Sequence, residues 1–493
     1  MHDLLLALGW LLAGVALALG ISALRQRLIG KAGGFTAAST LTRDMIKEHF
    51  APTDPGELVI TERMFPERVR ADLQRAVDQR FVSPLELIRF AGVRSGHDFE
   101  GISLPTCLAE NHHTPPEVAA PEYREVDIGE DAPLRCLKNG LWLLRRDGQP
   151  FVVLFGPGSM VQGGLRFQIG TLPTPEGKRL SDDFFGWLEQ SVRRADSYRG
   201  KILSLEQCEH SYGGTAAGIR VHKLHSVQRE QVILPAKTLE LLDRNVIQFV
   251  RQRTSLAQYR LSTKKGLLFY GPPGTGKTHT IHYLAGALPG HTTLLITAEQ
   301  IGMLTDYMAL ARLLQPCIVV MEDVDLIGGD RSQTSTCEQV VLNKLLNEMD
   351  GLTEDAEILF LLTTNRPAML EAALAARPGR VDQAIEFPLP DAAGREKLVR
   401  LYAHDLTLDP AVLANIVRRT GQVSAAFIKE LMRRTLQFHL ERSGDGCITA
   451  SDVDQALDEM LFRGGPLNLQ LLGAAQAEAA VASPDDSANS CPA

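Results

Sequence analysis

The stretch with the clearest chemistry is GPPGTGKT at residues 271–278. It matches the pattern G-x-x-x-x-G-K-[ST], and it has the context which that pattern needs: the apolar run GLLFY before it and the helical segment HTIHYLAGAL after it. The three glycines allow backbone N–H groups to curl around phosphate oxygens, and the helix N-terminus adds partial positive charge at the same place. The stretch therefore predicts a site for the phosphates of a nucleotide.

Two side chains in this loop carry specific roles. Lys277 is expected to reach the β and γ phosphates, and the Thr278 hydroxyl is expected to ligate Mg²⁺. A glycine-rich turn that binds no nucleotide is the alternative, and the complete match in context argues against it. The residues predicted to bind the nucleotide are Gly271, Pro272, Pro273, Gly274, Thr275, Gly276, Lys277, Thr278 and His279.

A pair of carboxylates, Glu322 and Asp323, ends a second apolar run, CIVVM at 317–321. In a nucleotide hydrolase one such carboxylate orients Mg²⁺ and the other polarises the attacking water. By position we assign the metal role to Glu322 and the water role to Asp323, although the usual order is Asp before Glu. The exchange moves one methylene between the two side chains and keeps the charge. We therefore expect an active hydrolase; the alternative is a nucleotide-gated scaffold with negligible turnover.

Three more residues extend the predicted catalytic set. A third apolar run, EILFLLTTN, ends in Asn365, whose amide is expected to hold the attacking water or the γ-phosphate. Arg377 and Arg380 follow on a turn around Pro-Gly. They are either solvated or presented to a neighbouring subunit, where an arginine neutralises the charge that develops on the γ-phosphate. The second interpretation predicts a ring in which each site is completed by the next chain.

With these elements in order, residues 232–463 resemble the AAA ATPases of the clade with a second region of homology. The stretches that carry the resemblance are GPPGTGKT, VVMEDVD, VLNKLLNEMDGL, LLTTNRPAMLEAALAARPGRVDQAIEFPLPD and TGQVSAAFIKEL. The resemblance implies an α/β fold: a P-loop module with a parallel sheet sandwiched by helices, followed by a small helical lid. It also implies ATP and Mg²⁺ as cofactors, a homo-oligomeric ring (hexamer or heptamer) and a protein substrate.

The resemblance has two departures that bear on function. The segment TAEQIGMLTDYMALARLLQP is shorter than the usual aromatic pore loop, and Tyr307 and the pair Met303-Leu304 are the candidates for a pore. In the lid, GQVSAAF places Ala425 where the family cups adenine and ribose. The Glu-Asp order, the short pore region and an N-terminal membrane helix together resemble the mitochondrial Rieske-protein translocases, which move a folded domain across a membrane.

The N-terminus is predicted to anchor the chain in a membrane. Residues 4–24 carry no charge, and about 20 apolar residues span a bilayer. Arg25, Arg27 and Lys31 follow directly, so the positive-inside rule places the rest of the chain, with the ATPase domain, in the cytosol. A buried core helix and a helix packed in an oligomer are the alternatives.

The whole composition excludes several classes. A formal charge of −8 argues against nucleic acid as a partner, and seven scattered cysteines without a C-x-x-C pair fit a reducing compartment. The chain has no H-E-x-x-H, so a zinc protease of the usual kind is not expected.

The length of the chain and the changes in its residue pattern predict several domains. Apolar residues at helical spacing predict a helical pair over 61–91, and RRDGQP between two strand-like runs predicts a hairpin. The predicted domains are a transmembrane helix (1–25), a helical connector (26–121), a small α/β adaptor domain (122–230), a large nucleotide-binding domain (231–390), a helical lid (391–463) and a disordered tail (464–493).

Overall fold

The computed structural model describes eleven stretches of the chain, which divide into two compact units. The first unit runs to Ser197 and includes Gln207–Gly218; the second comprises Tyr198–Glu206 and the residues from Ile219 onward. The described residues are 41–80, 86–95, 101–109, 115–159, 163–207, 217–326, 344–345, 347–368, 381–404, 406–442 and 447–463. The predicted transmembrane helix and the predicted disordered tail lie outside these ranges. Within them, the helices are all too short or too polar to cross a bilayer.

The first unit is built on a six-stranded sheet whose paired strands run antiparallel, in the order β1-β8-β7-β6-β2-β3. A separate pair, β4 and β5, is also antiparallel. The strands are β1 (Val59–Phe65), β2 (Glu86–Arg94), β3 (Glu117–Ala119), β4 (Tyr123–Val126), β5 (Leu134–Leu137), β6 (Gly140–Arg146), β7 (Gln149–Pro157) and β8 (Leu165–Thr171). The helices are α1 (Thr42–Phe50), α2 (Arg70–Arg80), α3 (Leu104–Leu108) and α4 (Pro175–Arg194).

Both faces of this sheet are covered, which explains why its central strands are apolar almost throughout. Met45, Ile46 and Phe50 of α1 share a core with alternate residues of β6 and β7 on one face. On the other face Phe184 of α4 packs against Phe167 of β8. The β6–β7 hairpin confirms the sequence prediction. Its two turn residues, at 147 and 148, both have positive φ, as the favoured two-residue hairpin turn requires.

The predicted helical pair over 61–91 is wrong at both ends. β1 and β2 are strands of the six-stranded sheet, and the described residues between them include a 3-10 turn, Glu67–Val69, and the helix α2. The sheet therefore joins residues of the predicted connector to residues of the predicted adaptor domain. Strand β1 lacks the alternation of apolar and polar residues that predicts a strand, because it is an edge strand whose Glu62 pairs with Arg166 and Gln168.

The second unit contains a seven-stranded sheet in the order β10-β9-β12-β13-β14-β11-β15. All pairs from β9 to β15 are parallel, so their carboxyl ends share one edge. The strands are β9 (Ile202–Gln207), β10 (Ala217–His222), β11 (Lys265–Tyr270), β12 (Thr292–Ile296), β13 (Cys317–Met321), β14 (Ile358–Thr364) and β15 (Gln383–Glu386). The helices are α5 (Ala236–Leu242), α6 (Phe249–Gln258), α7 (Lys277–Ala287) and α8 (Leu304–Leu313), with a π-helical segment Asp243–Gln248 joining α5 to α6.

Strands β9 and β10 come from residues predicted to belong to the adaptor domain, yet they extend the sheet of the second unit. Strand β9 pairs with β12, and the buried hydroxyl of Tyr307 accepts a hydrogen bond from the Leu205 N–H at 2.7 Å and donates one to the Leu295 carbonyl at 3.0 Å. The sequence of a short strand does not indicate which sheet the strand joins, because its neighbouring strand is determined by tertiary packing.

Four helices with a common apolar core follow the sheet. They are α9 (Ala392–Ala403), α10 (Pro410–Arg419), α11 (Ala425–Arg442) and α12 (Ala450–Asp458), with a short parallel pair of strands, β16 (Thr407–Leu408) and β17 (Cys447–Ile448), and a final π-helical turn, Glu459–Arg463. All four helices lie within residues 391–463, the range predicted for the helical lid. We refer to residues 391–463 as the lid.

Candidate nucleotide site

The carboxyl ends of three parallel strands carry the polar residues that the sequence singled out. Strand β11 leads into the loop at 271–276, β13 ends immediately before Glu322 and Asp323, and β14 ends immediately before Asn365. Because β14 lies between β11 and β13 and pairs with both in parallel, these ends meet at one edge of the sheet. The structure therefore brings Lys277, Glu322, Asp323 and Asn365 together.

The loop at 271–276 takes a shape that depends on glycine. Gly274 and Gly276 have φ of +74° and +98°, values that residues with a Cβ rarely adopt. Gly276 directly precedes α7, whose first turn contains Lys277 and Thr278. The loop thus ends at a helix N-terminus, where free N–H groups and the helix dipole favour an anion.

Lys277 is buried at the centre of the site, with 7% of its surface exposed. Its Nζ donates to the carbonyl oxygens of Gly271 at 2.8 Å and Pro272 at 3.0 Å, and to Asn365 Oδ1 at 2.8 Å. An ammonium has three donors, so these contacts use all of them. Burial lowers the pKa of Lys277, and the charges of Asp323 and Asp325 oppose that shift.

Thr278 and Glu322 lie in direct contact. The Thr278 hydroxyl donates to Glu322 Oε1 at 2.7 Å. Two oxygens that are adjacent ligands of Mg²⁺ at 2.0–2.1 Å are about 3 Å apart, and a hydroxyl with a carboxylate is a donor set that this hard cation accepts. The two residues predicted to hold the metal therefore fit Mg²⁺ in spacing and chemistry.

Asp323 and Asn365 form a second polar pair. Asn365 Nδ2 donates to Asp323 Oδ1 at 3.0 Å, while its Oδ1 accepts from Lys277, so the carboxamide bridges a carboxylate and an ammonium. Asp323 has a φ of +47°, in the left-handed region, and its N–H donates to the buried Thr363 hydroxyl at 2.9 Å. This backbone turn sets the direction of the shorter carboxylate of the exchanged pair. Thr363 was not predicted from the sequence, since a threonine in a strand is unremarkable.

An apolar pocket lies beside the loop at 271–276, which we call the phosphate loop. It is enclosed by Ile233, Leu234, Pro235, Thr275, Pro388, Pro390, Asp391, Gly394 and Ala425. Of the predicted residues, Ala425 and Thr275 line it. The other walls come from the segment before α5 and from residues between β15 and the first turn of α9. Sequence reasoning did not find them because they form no pattern that is associated with nucleotide binding. Its lining is mainly apolar, with Thr275 and Asp391 as the polar members.

The lid contacts the phosphate loop through the start of α11. The Ala426 N–H donates to the Gly274 carbonyl at 3.1 Å. A Cβ built on Gly274 would lie 2.8 Å from the Ala426 Cβ and 2.9 Å from the Ser424 hydroxyl oxygen. Glycine at 274 is thus required twice, by its φ and by the close approach of the lid.

The remaining predicted residues have varied positions. The Pro272 carbonyl accepts from the Thr275 hydroxyl at 2.9 Å as well as from Lys277, and Pro273 is exposed. His279 Nε2 lies 3.2 Å from the carbonyl oxygen of Gln231, so this side chain contacts the segment before α5. Arg377 and Arg380 lie outside the described residues, and their presentation to a neighbouring subunit stays a prediction.

The three candidates for a pore are wrong. Tyr307, Met303 and Leu304 are buried within their own unit, and the Tyr307 side chain joins β9 to β12. Tyr307 was chosen for its aromatic ring, but its ring fills the core under α8 and its hydroxyl satisfies two backbone groups.

Comparison with known proteins places this site in a wider context. The model of the ATPase family associated with various cellular activities (AAA) matches residues 267–389. The ATP-dependent zinc metalloprotease FtsH 2 of Symbiobacterium thermophilum is 37% identical over 216 residues, which are 41% of this chain and 36% of that protein. The 26S proteasome regulatory subunit 10B of Dictyostelium discoideum is 36% identical over 159 residues, 30% of this chain and 40% of that subunit.

A longer match comes from the ATP-dependent zinc metalloprotease FtsH of Mycoplasma pneumoniae, which is 30% identical over 324 residues, 59% of this chain and 44% of that protein. The chain thus spans less than half the length of each of these curated relatives.

Proposed function

The chain contains an AAA ATPase domain, and from that premise we propose that it hydrolyses ATP in a ring of identical subunits to remodel, extract or translocate a protein substrate at a membrane. The observation that carries the hydrolytic part is the bridge formed by Asn365, which links Lys277 to Asp323 beside the Thr278–Glu322 pair. A binding site alone needs the lysine and the loop, whereas a water-activating carboxylate within reach of the same lysine is needed only for turnover.

The residues supply the following steps. The loop and the α7 N-terminus bind the phosphates, and Lys277 exchanges at least one of its three present acceptors for a phosphate oxygen. The Asn365 carboxamide, aligned beside Lys277 and Asp323, then holds the γ-phosphate or the attacking water. Asp323 accepts a proton from that water as general base. Thr278 and Glu322 would hold Mg²⁺, which would supply positive charge against the charge that develops on the phosphates.

The apolar pocket receives the adenine ring, and closure of the lid accompanies binding. Because Ala426 of the lid is hydrogen-bonded to Gly274 of the phosphate loop, phosphate binding and lid position are coupled through one contact. A movement of the lid is the output that a ring can transmit to a substrate.

The assembly rests on Arg377 and Arg380, which we propose reach the site of the next subunit. Anchoring rests on the uncharged residues 4–24, and a membrane position with the ATPase domain in the cytosol follows from the basic residues behind them. The resemblance to Rieske-protein translocases supports the narrower proposal that the substrate is moved as a folded domain.

The hydrolytic proposal is tested with Asp323→Asn in the full-length chain. Asparagine has the same size and can still accept the hydrogen bond from Asn365, but it is not a base. Turnover should therefore fall at least 100-fold, which is in the range of general-base effects. The Kd for ATP should stay within about threefold of the wild-type value, because Asp323 does not bind phosphate. Asp355→Asn, on the exposed surface of the same unit, is the matched control and should change neither. A wild-type chain without measurable turnover would reject the enzyme in favour of the nucleotide-gated scaffold.

The ring is tested with Arg377→Ala and Arg380→Ala. Each should abolish turnover while ATP binding stays near the wild-type level, and mixing either variant with an Asp323→Asn chain should restore part of the rate, because some interfaces then contain one intact arginine and one intact base. Wild-type turnover by monomeric arginine variants would refute the shared site.

A further inference from the structure

A third carboxylate, Asp325, lies behind the site and has no role in the steps above. It belongs to a short 3-10 turn that follows Asp323, and its side chain is half-buried. Its Oδ1 accepts two hydrogen bonds from the end of β14, one from the Thr364 hydroxyl at 2.9 Å and one from the Asn365 N–H at 3.1 Å. Asp325 thus ties the end of β13 to the end of β14.

The contact with the Asn365 N–H matters because of where Asn365 lies. This residue is the first after β14, so the strand ladder no longer holds its backbone. Its side chain nevertheless has to span Lys277 and Asp323 at 2.8 and 3.0 Å. The carboxylate of Asp325 is the group that holds the peptide from which this carboxamide extends.

The Thr364 contact makes Asp325 hard to replace. Thr364 is fully buried, and its hydroxyl also accepts from the Arg366 N–H at 2.9 Å. Removing the carboxylate leaves the donors of Thr364 and Asn365 without this acceptor, and an unpaired buried donor drives local rearrangement. The segment that would rearrange is the one that carries Asn365.

Asp325 also acts on the site through its charge. Together with Asp323 it opposes the effect of burial, which lowers the pKa of Lys277. Position and charge are separable, because both hydrogen bonds go to a single oxygen, and an asparagine in place of Asp325 retains that oxygen without the charge.

We propose that Asp325 is a positioning residue for ATP hydrolysis: it holds the backbone of Asn365 so that the carboxamide stays aligned between Lys277 and Asp323. This inference rests on the proposed function. It assigns Asp325 no contact with the nucleotide, so its effect is on the rate of the chemical step and is transmitted through Asn365.

The test is kcat and the Kd for ATP of Asp325→Ala in the full-length chain. A displacement of about 1 Å of a catalytic group costs up to about 100-fold in rate, so kcat should fall roughly 10- to 100-fold, with the Kd changed by less than about threefold because the phosphate contacts are intact. Asp325→Asn, which keeps the acceptor, should recover most of the rate. Asp355→Ala is the exposed control.

The dependence on Asn365 separates positioning from a general structural role. Added to Asn365→Ala, the Asp325→Ala change should lower kcat less than about threefold further, because residues that act as a unit are not additive. A merely structural residue would multiply its effect with that of Asn365→Ala.

Asp325→Glu provides a second route if Asp325→Ala does not fold. It keeps the charge but moves the acceptor by one methylene, and it should show the same loss of kcat. The proposal is overturned if folded Asp325→Ala and Asp325→Glu keep the wild-type kcat, or if their losses multiply with that of Asn365→Ala. A wild-type chain without turnover would instead reject the proposed function, so the two failures are distinguishable.

Discussion

Replacing Gly274 with alanine tests how the phosphate loop and the lid fit together. The new methyl group would lie 2.8 Å from the Ala426 Cβ and 2.9 Å from the Ser424 hydroxyl oxygen, at a residue whose φ is +74°. Contacts under 3.0 Å force one of the two segments to move. Because the Gly274 carbonyl accepts the Ala426 N–H at 3.1 Å, movement of either segment also breaks this hydrogen bond.

The expected loss of stability in Gly274→Ala is the sum of three contributions. Left-handed backbone costs an L-residue about 1–2 kcal/mol, and overpacking at a fitted contact costs about 1–3 kcal/mol. Alanine in place of glycine returns about 0.4–1 kcal/mol by restricting the unfolded chain. The free energy of unfolding of the second unit should therefore fall by about 1–5 kcal/mol.

Gly276→Ala is the matched control. Gly276 lies in the same loop with φ of +98°, but a Cβ there has no atom within 4 Å. Gly276→Ala therefore has the cost of left-handed backbone but no steric overlap with the lid. The difference in the free energy of unfolding between the two variants measures the overlap with the lid, which should be about 2 kcal/mol. For a unit of this size that difference lowers the thermal midpoint by roughly 4–8 °C, measured on the full-length chain without nucleotide.

A second substitution identifies the lid as the source of the clash. Ala426→Gly removes the nearest atom, so in the Gly274→Ala background it should restore most of the overlap term, although on its own it destabilises α11 slightly. Equal midpoints for Gly274→Ala and Gly276→Ala, or the absence of any rescue by Ala426→Gly, would refute the close approach of lid and loop.

Three further outcomes are expected from other parts of the second unit. Burial lowers the pKa of Lys277, and phosphate binding needs the ammonium. As pH rises, the Kd for ATP should therefore begin to increase at a lower pH than it would with an ordinary lysine, whereas the Kd of Lys277→Arg should not change with pH. Binding titrations that give parallel pH profiles for the two proteins would contradict this. In the lid, burial by itself raises the pKa of Asp452, but hydrogen bonds from Arg442 and Thr449 outweigh it and hold the pKa at about 2. This carboxylate therefore contributes about 2 kcal/mol of stability that is present above the unfolded pKa and lost as pH falls below 3.8 towards 2, and denaturant titrations of Asp452→Asn should lack that part of the pH dependence. Finally, Tyr307→Phe removes the hydroxyl that joins β9 to β12 and should lower the free energy of unfolding by about 1–3 kcal/mol, whereas an unchanged thermal midpoint would show that strand pairing alone holds β9.

The candidate site was more predictable than most of the fold. The phosphate loop could be identified because its chemistry is local: glycines at fixed spacing, then Lys277 and Thr278, within one strand–loop–helix unit. Glu322, Asp323 and Asn365 could be identified because each ends an apolar run, and parallel strands bring such ends to one edge. Their hydrogen bonds to one another, and the left-handed backbone of Asp323, could not be predicted, since they depend on the relative heights of neighbouring strands.

The first unit was harder to predict because its strands do not follow one simple period. The hairpin between β6 and β7 was predictable, since a two-residue turn fixes it locally. In contrast, β1 carries charged residues that pair with β8, and its partner lies more than a hundred residues further along the chain. Helical spacing over the same residues was a coincidence that only the packing of the sheet resolves.

Sequence alone identified the candidate site of this protein, because the residues predicted to bind phosphate and activate water lie in short segments that determine their own backbone shape. Tertiary structure alone decided what surrounds them: the walls of the apolar pocket, the lid contact at Gly274, the burial of Tyr307 and the position of Asp325 behind Asn365. Each of these joins segments that are far apart in the chain. Such contacts arise from the mutual packing of whole elements, which no local pattern of residues specifies.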